Sequence, residues 1–429
     1  MTASHDEDSA GPAPTLRFVH CSDLHLDAPF AAADAAVRGR LAEEARATLR
    51  RLCELCLAER PAALLIAGDL FDDERLSLST EELLVSELSR VAQAGVPVVL
   101  ACGNHDNAAP GGRCSALAWP EGVHVAGSEP LTVDLRDAEG RTVGRVVAVG
   151  HGSAHETASR LSALPAAEEG VPSVVVLHGH VQGARGAFRH EPLSPCGPED
   201  FAAAGHRYWA LGHVHERQQV GRRPAAHYPG SLLARGFDEP GARGALLVTL
   251  PPKGEARVEF RPLSLLRFEM PALPGLPAVR DLTELRAACM AAFEALREQD
   301  GRPDALWMLR FELSGPCAAA ADCQRDELLD ELGDELTAAL SSFGVLGVQV
   351  RDAGVTRPVD LAPHRGQPHL LGEALAVAAA LQDDAVLDRV LPATLAGAAP
   401  GQDKRAYVRG LLADIEHAAA EALLREVRP

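Results

Sequence analysis

Residues 63–72 read ALLIAGDLFD. Ala63 to Ala67 run on without polar alternation, and Gly68, Asp69 and Asp72 follow. A short continuous apolar run of this kind marks a strand buried on both faces, as in the layers of an α/β protein. A carboxylate just past its end stands at the carboxyl edge of the sheet, where open α/β sheets bind ligands. The pattern recurs along the chain. The strand-like run Leu16 to Cys21 leads to Asp23 and His25, and Val96 to Ala101 leads to Gly103, Asn104, His105 and Asp106. Ser173 to Leu177 leads to His178, Gly179 and His180, and Tyr208 to Leu211 leads to Gly212, His213 and His215. Any one of these reads as an ordinary turn. Five in order, each carrying metal-ligating side chains, describe a dinuclear metal site built from strand ends.

The 429 residues are 47% hydrophobic and 24% charged, the composition of a globular chain with room for more than one domain. No stretch of about 20 uncharged apolar residues is present, so no membrane span is expected. Residues 1–14 carry Asp6, Glu7 and Asp8 without an apolar core, which predicts a disordered tail, no signal peptide and a cytoplasmic protein. The nine cysteines are scattered. Cys53 and Cys56 form a C-x-x-C inside a helical pattern with no second pair, and read as buried thiols. The net charge of −19 argues against a stand-alone nucleic-acid binder with a basic face.

The first domain is expected over 15–265. Val37, Leu41, Ala45, Leu49, Leu52 and Cys56 recur at helical spacing, and Ser79 with Glu82 predicts a capping box opening a second helix. Val146 to Val149 is a further strand, and Ala245 to Leu250 and Arg257 to Phe260 close the domain. Residues 266–353 read as a small α/β cap of β-α-β-α-β order, with about twice as many acidic as basic residues. Residues 354–429 read as helical, with segments near Leu370–Leu381, Ala385–Leu391 and Lys404–Arg425, separated by Pro392 and a Gly/Pro-rich run near 400. The fold class is α/β: a layered sandwich, a small α/β cap domain and a helical C-terminal tail.

Asp23 and His25, two residues apart at a fraying strand end, can turn toward one point. Asp69 has two oxygens and can bridge two cations, Asn104 adds an amide oxygen, and His178, His213 and His215 add imidazoles. Oxygen and nitrogen donors without thiolates suit Mn2+ or Fe2+ ahead of Zn2+. Two such ions about 3.5–4 Å apart activate water and stabilise the attacking and leaving oxygens of an in-line displacement at phosphorus. His105, beside Asn104, is the candidate to protonate the leaving oxygen, with Asp106 to orient it. His151, His155, His180, His190, His206 and His227 lack such partners and read as surface or supporting residues.

These motifs resemble the full set of the calcineurin-like metallophosphoesterases. The finer text at 20–30 (HCSDLHLDAPF), 64–72 (LLIAGDLFD), 100–106 (LACGNHD), 176–183 (VLHGHVQG) and 208–218 (YWALGHVHERQ) resembles the SbcD-like DNA repair exonucleases, in particular the YhaO-type branch. Residues 228–248 (YPGSLLARGFDEPGARGALLV) resemble the end of that catalytic domain. The resemblance implies a four-layer sandwich. It places Asp23, His25, Asp69 and His215 on one metal, Asp69 bridging, and Asn104, His178 and His213 on the other. His178 is chosen over His180 because the family's ligand directly follows the strand. The same resemblance implies Mn2+-dependent exonuclease action on DNA ends, with endonuclease action on single strands also open. By position it implies an SbcC-type coiled-coil ATPase partner on the C-terminal helices. A homodimer remains open, as does a phosphoesterase of the same fold acting on a nucleotide or phosphoprotein.

Overall fold

A computed structural model describes residues 15–30, 34–72, 76–391, 404–412 and 415–425. The expected N-terminal tail and the separator near 400 lie outside the described residues. The chain divides into two compact units, Met1–Leu265 and Leu266–Pro429.

The first unit is built on two six-stranded sheets. One has the order β12 (Arg257–Pro262), β11 (Gly244–Leu250), β1 (Leu16–Cys21), β2 (Ala63–Ile66), β3 (Val98–Ala101), β4 (Val123–Ala126). In it β1 to β4 run parallel and β11 pairs antiparallel with β1. The other has the order β5 (Leu131–Arg136), β6 (Thr142–Val149), β7 (Ser173–His178), β8 (Tyr208–Gly212), β10 (Ala225–Tyr228), β9 (Gln218–Arg222). Here β6, β7, β8 and β10 are parallel.

Alternation along the strands sorts the apolar residues into layers. Phe18, Leu65, Val99, Val146, Val174 and Tyr208 form the core between the sheets. Residues of the other parity, Val147, Val175, Leu177, Trp209 and Leu211, pack against Phe201 of α4 (Pro198–Ala203) and loop residues such as Val181. On the first sheet the other parity, including Val19, Leu64 and Leu100, is buried as well. That side carries α1 (Ala35–Glu59) and α2 (Leu78–Gln93), which pack side by side. The four-layer sandwich is therefore asymmetric: long helices outside one sheet, loops and short helices outside the other. Asp34 caps α1 through the N–H groups of Ala36 and Val37. Ser77 caps α2 rather than the expected Ser79, because its side chain accepts the Thr80 N–H. The short α3 (Arg113–Ala116) follows the β3 loop. Four strands, β4, β5, β9 and β10, carry no clear sequence signal. Apart from β10, these are edge or near-edge strands whose half-exposed residues break the apolar run.

The second unit has a three-stranded parallel sheet, β13 (Leu266–Glu269), β14 (Leu306–Pro316) and β15 (Val345–Thr356). One face of β14, with Trp307, Leu309, Phe311 and Leu313, is buried with Phe293 of α5 (Leu282–Asp300) and Leu336 of α7 (Asp326–Leu340). The short α6 (Ala320–Cys323) precedes α7. β15 runs on past residue 353, where the cap was expected to end: Arg351 to Gly354 are exposed and the pairing shifts register there, but Val355 and Thr356 are buried and pair again with β14. α8 (Leu370–Ala380) packs on α11 (Ile415–Arg425), and α9 (Asp384–Val390) is tied to α10 (Lys404–Leu411) by Arg405 with Asp384 and Asp388. The single helix expected over Lys404–Arg425 is thus described as two.

His20 spans the two sheets of the first unit: its Nδ1 lies 3.1 Å from the Tyr208 hydroxyl and its Nε2 3.1 Å from the Leu211 carbonyl oxygen. Burial, only partly offset by the Leu211 bond, brings it down to about 3 from 6.5. The unfolded chain therefore takes up this proton first, so His20 stabilises the fold fully above about pH 6.5 and progressively less as the pH falls toward 3. Denaturant unfolding between pH 7 and pH 4 is expected to show stability falling with pH. In His20→Gln the slope should be shallower by up to about 1.4 kcal/mol per pH unit. An unchanged slope would show that His20 is not held neutral in the fold.

Candidate metal centre

All five motifs lie at the carboxyl ends of parallel strands: β1, β2 and β3 from one sheet, β7 and β8 from the other. The backbone turns sharply there. Among the described non-glycine residues seven have positive φ, and four of them are Asp23 (54°), His25 (49°), Asp69 (52°) and His213 (101°). Asp and His tolerate this left-handed region better than most residues, and such strain gathers at functional sites. Two glycines make the approach of the layers possible. A Cβ on Gly68 (φ 84°) would run into the His178 ring, and one on Gly212 would overlap the Ala67 carbonyl oxygen.

The structure brings the predicted residues to one place. Asp69 Oδ2 lies 3.6 Å from His25 Nε2 and 3.5 Å from His178 Nε2, between the two halves of the cluster. His215 Nε2 is 3.6 Å from Asp23 Oδ1, and His178 Nε2 is 3.2 Å from Asn104 Oδ1. Asp23, His25 and His215 have ligand atoms close enough to share one ion, and so do Asp23, Asp69 and His178. His213 joins neither triad; its ring centroid is 5.1 Å from that of His178. His180 is half-buried, with its ring 6.3 Å from His213.

Each imidazole is anchored through one nitrogen. His178 Nδ1 faces the Ala67 carbonyl (2.8 Å), His213 Nε2 the Glu191 carbonyl (2.7 Å), His215 Nδ1 the Glu239 carboxylate (2.7 Å) and His25 Nδ1 the Asp72 carboxylate (3.0 Å). With the anchored nitrogen donating, the other keeps its lone pair, the tautomer a metal ligand needs. His25 Nε2 is buried with no hydrogen-bond partner at all. His178 Nε2 meets Asn104 Oδ1 lone pair to lone pair. Orphaned and mutually facing acceptors in a buried cluster of Asp, Asn and His fit two divalent cations.

The electrostatics agree. Burial pushes Asp69 up to about 8, helped by the charges of Asp106 and Asp23, and burial raises Asp23 as well. Burial holds His25 and His213 down at about 3 and His178 well below its usual value, so these rings are neutral as metal binding requires. His215 is the exception: burial lowers it, but Glu239 and Asp23 outweigh burial and raise it. Glu239 in turn, despite burial, is brought to about 2 by His215 and Ser231.

Asp106 does not orient His105. Its two oxygens accept the backbone N–H groups of Gly103 (2.6 Å), Leu70 (2.7 Å) and Asp69 (3.1 Å), so it staples the β2 and β3 loops together. The carboxylate beside His105 is Asp72, whose Oδ1 lies 3.2 Å from His105 Nδ1 and also holds His25. Asp72 is visible in the 63–72 motif but acquires a role only from the loop geometry. Although burial raises it, the bonds from His105 and His25 hold it well below the usual carboxylate range. His105 is raised by Asp72. Two further histidines come close: His151 is buried with Nε2 3.0 Å from the His178 carbonyl oxygen, and the His190 ring is 4.8 Å from His215. Sequence reasoning misses Glu239; its only signal is a carboxylate in the last stretch resembling the family, residues 228–248.

Comparison with known proteins gives a concordant result. The sequence pattern described as Calcineurin-like phosphoesterase matches residues 16–217. The chain is 30% identical over 288 residues to the Bacillus subtilis "Uncharacterized metallophosphoesterase YhaO", covering 66% of this chain and 69% of that protein. It is 29% identical to a Bacillus subtilis protein named as a subunit of the nuclease SbcCD, over 56% of this chain and 68% of that one. It is 27% identical to a Rhodobacter capsulatus protein of the same name, over 71% and 90%.

Asp106→Ala removes the acceptor of three buried N–H groups and is expected to cost roughly 3 kcal/mol or more of unfolding free energy. Denaturant melts of wild type and variant measure this. A loss within about 0.5 kcal/mol, the range of ordinary surface substitutions, would rule out the stapling role.

Proposed function

The chain belongs to the calcineurin-like phosphoesterase family, and we propose that it is a two-metal phosphodiesterase that degrades DNA from its ends. The observation that carries this reading is the set of three anchored imidazoles, His25, His178 and His215, whose free nitrogens converge with Asp23, Asp69 and Asn104 on one buried cluster, with the His213 ring beside them. Asp23, His25, Asp69 and His215 would hold one ion and Asn104, His178, His213 and the shared Asp69 the other; Mn2+ suits these donors. When bound, the ions supply Lewis-acid charge to the attacking water and the phosphoryl oxygens.

The rest is done by side chains of the chain itself. His105 is half-exposed above the cluster, its ring 4.8 Å from that of His25. With Nδ1–H donating to Asp72, its Nε2–H faces outward and can pass a proton to the leaving oxygen. The bond to Asp72 favours the protonated ring and fixes its plane. Glu239 and Asp72 orient His215 and His25 as carboxylates commonly orient metal-bound imidazoles.

DNA as the substrate is supported by two relatives whose names make them part of the nuclease SbcCD. Basic residues also outnumber acidic ones between Arg207 and Arg261 in an otherwise acidic chain. The same names support a partner, which we read as an SbcC-type coiled-coil ATPase docking on the C-terminal helices, where Leu370, Val377 and Val390 stand exposed. Among the described residues no helix is long and apolar enough to cross a membrane.

Wild-type protein with Mn2+ is expected to digest end-labelled linear DNA, and His105→Ala to do so at least about 100-fold more slowly. Equal rates would remove His105 from the chemistry. Hydrolysis of bis(p-nitrophenyl) phosphate without any digestion of DNA would favour a small-substrate phosphoesterase instead.

A further inference from the structure

Arg235 lies in the loop after β10, four residues before Glu239. Its backbone N–H donates to Glu239 Oε2 (3.3 Å), while Glu239 Oε1 holds His215, so the loop is tied to the cluster. Other arginines of the first unit have partners for their terminal guanidinium nitrogens. Arg46 pairs with Asp27, Arg51 with Glu44, and Arg243 donates to the His215 and Pro240 carbonyls. Arg235 Nε is shut off from solvent with no hydrogen-bond partner, and no carboxylate among the described residues pairs with the guanidinium. The tie through Glu239 to His215 sets Arg235 beside the cluster, and its charge is felt at the histidines there.

A fixed cation in this position is repelled by the divalent ions that the cluster is built to gather, since bound metals are the largest charges in any such site. It does nothing for metal loading and makes no ion pair with a protein carboxylate among the described residues. The arrangement makes sense when a substrate anion lies between, one oxygen toward the metals and another toward the guanidinium, whose planar fork suits a phosphoryl group. We propose that Arg235 is a phosphate-binding residue whose guanidinium donates to a non-bridging oxygen of the scissile phosphate. This rests on the two-metal reading above.

The test uses the full chain, freed of metal and then titrated by calorimetry, first with Mn2+ and then with inorganic phosphate. Arg235→Gln is expected to bind Mn2+ as tightly as wild type or more tightly, because a repelling charge has gone, and to bind phosphate about tenfold or more weakly. Arg235→Lys, which keeps the charge and the stem without the fork, should fall between. With DNA, the loss should appear in KM as well as kcat. Unchanged phosphate affinity in a Mn2+-loaded Gln variant overturns the proposal alone. So does a parallel loss of Mn2+ affinity, which would make Arg235 a support for the His215 loop. Should the Gln variant fail to fold, wild-type phosphate affinity in a folded Lys variant overturns the role of the guanidinium. Failure of the wild type to bind Mn2+ overturns the two-metal reading and this proposal with it.

Discussion

The carbonyl of Ala67 is a point at which the two sheets of the first unit meet. It lies against Gly212, where no Cβ fits, and it accepts the Nδ1–H of His178 at 2.8 Å. Asp69 follows two residues after it on one sheet, while His178 and His213 end their strands on the other. A donor cluster drawn from both sheets exists only because the sheets touch here. Away from the carboxyl ends of the strands they are held apart by Phe18, Leu65, Val174 and Tyr208. Opening the contact by the width of one methyl group would separate Asp69 from His178 and leave two half-sites.

The cluster assembled at that contact is short of positive charge. Asp23, Asp69 and Asp106 are all buried, and only Asp106 has its charge answered by several backbone donors. Buried carboxylates without a counter-charge are costly, and lone pairs that face one another add to the cost. Ions bound to such a cluster stabilise the folded chain as well as equip it, because the unfolded chain has no comparable site.

Much of this could be read from sequence because the donors are local: each follows a strand-like run by one to four residues, and that placement alone puts it at a strand end. The choice of His178 over His180 rests instead on the resemblance, in which the ligand directly follows the strand, and the structure sets His178 in the cluster and His180 beside it. What sequence could not supply is the direction in which a loop turns its side chains. Asp106 neighbours His105 in the chain, yet it points down to three N–H groups, and Asp72 takes its place. Glu239 and Arg235 reach the cluster from a loop well removed in sequence, with no periodic signal to reveal them. Edge strands such as β4 and β9 escape because half-exposed residues erase the apolar run, and the long β15 outlasts its apolar part for the same reason.

The left-handed backbone at Asp23, His25, Asp69 and His213 has an evolutionary side. A non-glycine residue in that region costs on the order of 1–3 kcal/mol, and glycine would relieve it. At four of its most chemically valuable positions the chain is therefore less stable than it would be with the residue that destroys the centre. Drift under selection for folding alone would run toward glycine there, emptying the site while leaving the sandwich intact. Descendants that had lost the chemistry should be recognisable by heat resistance above that of their active relatives. Only continued selection for activity keeps these carboxylates and imidazoles on a backbone that does not favour them.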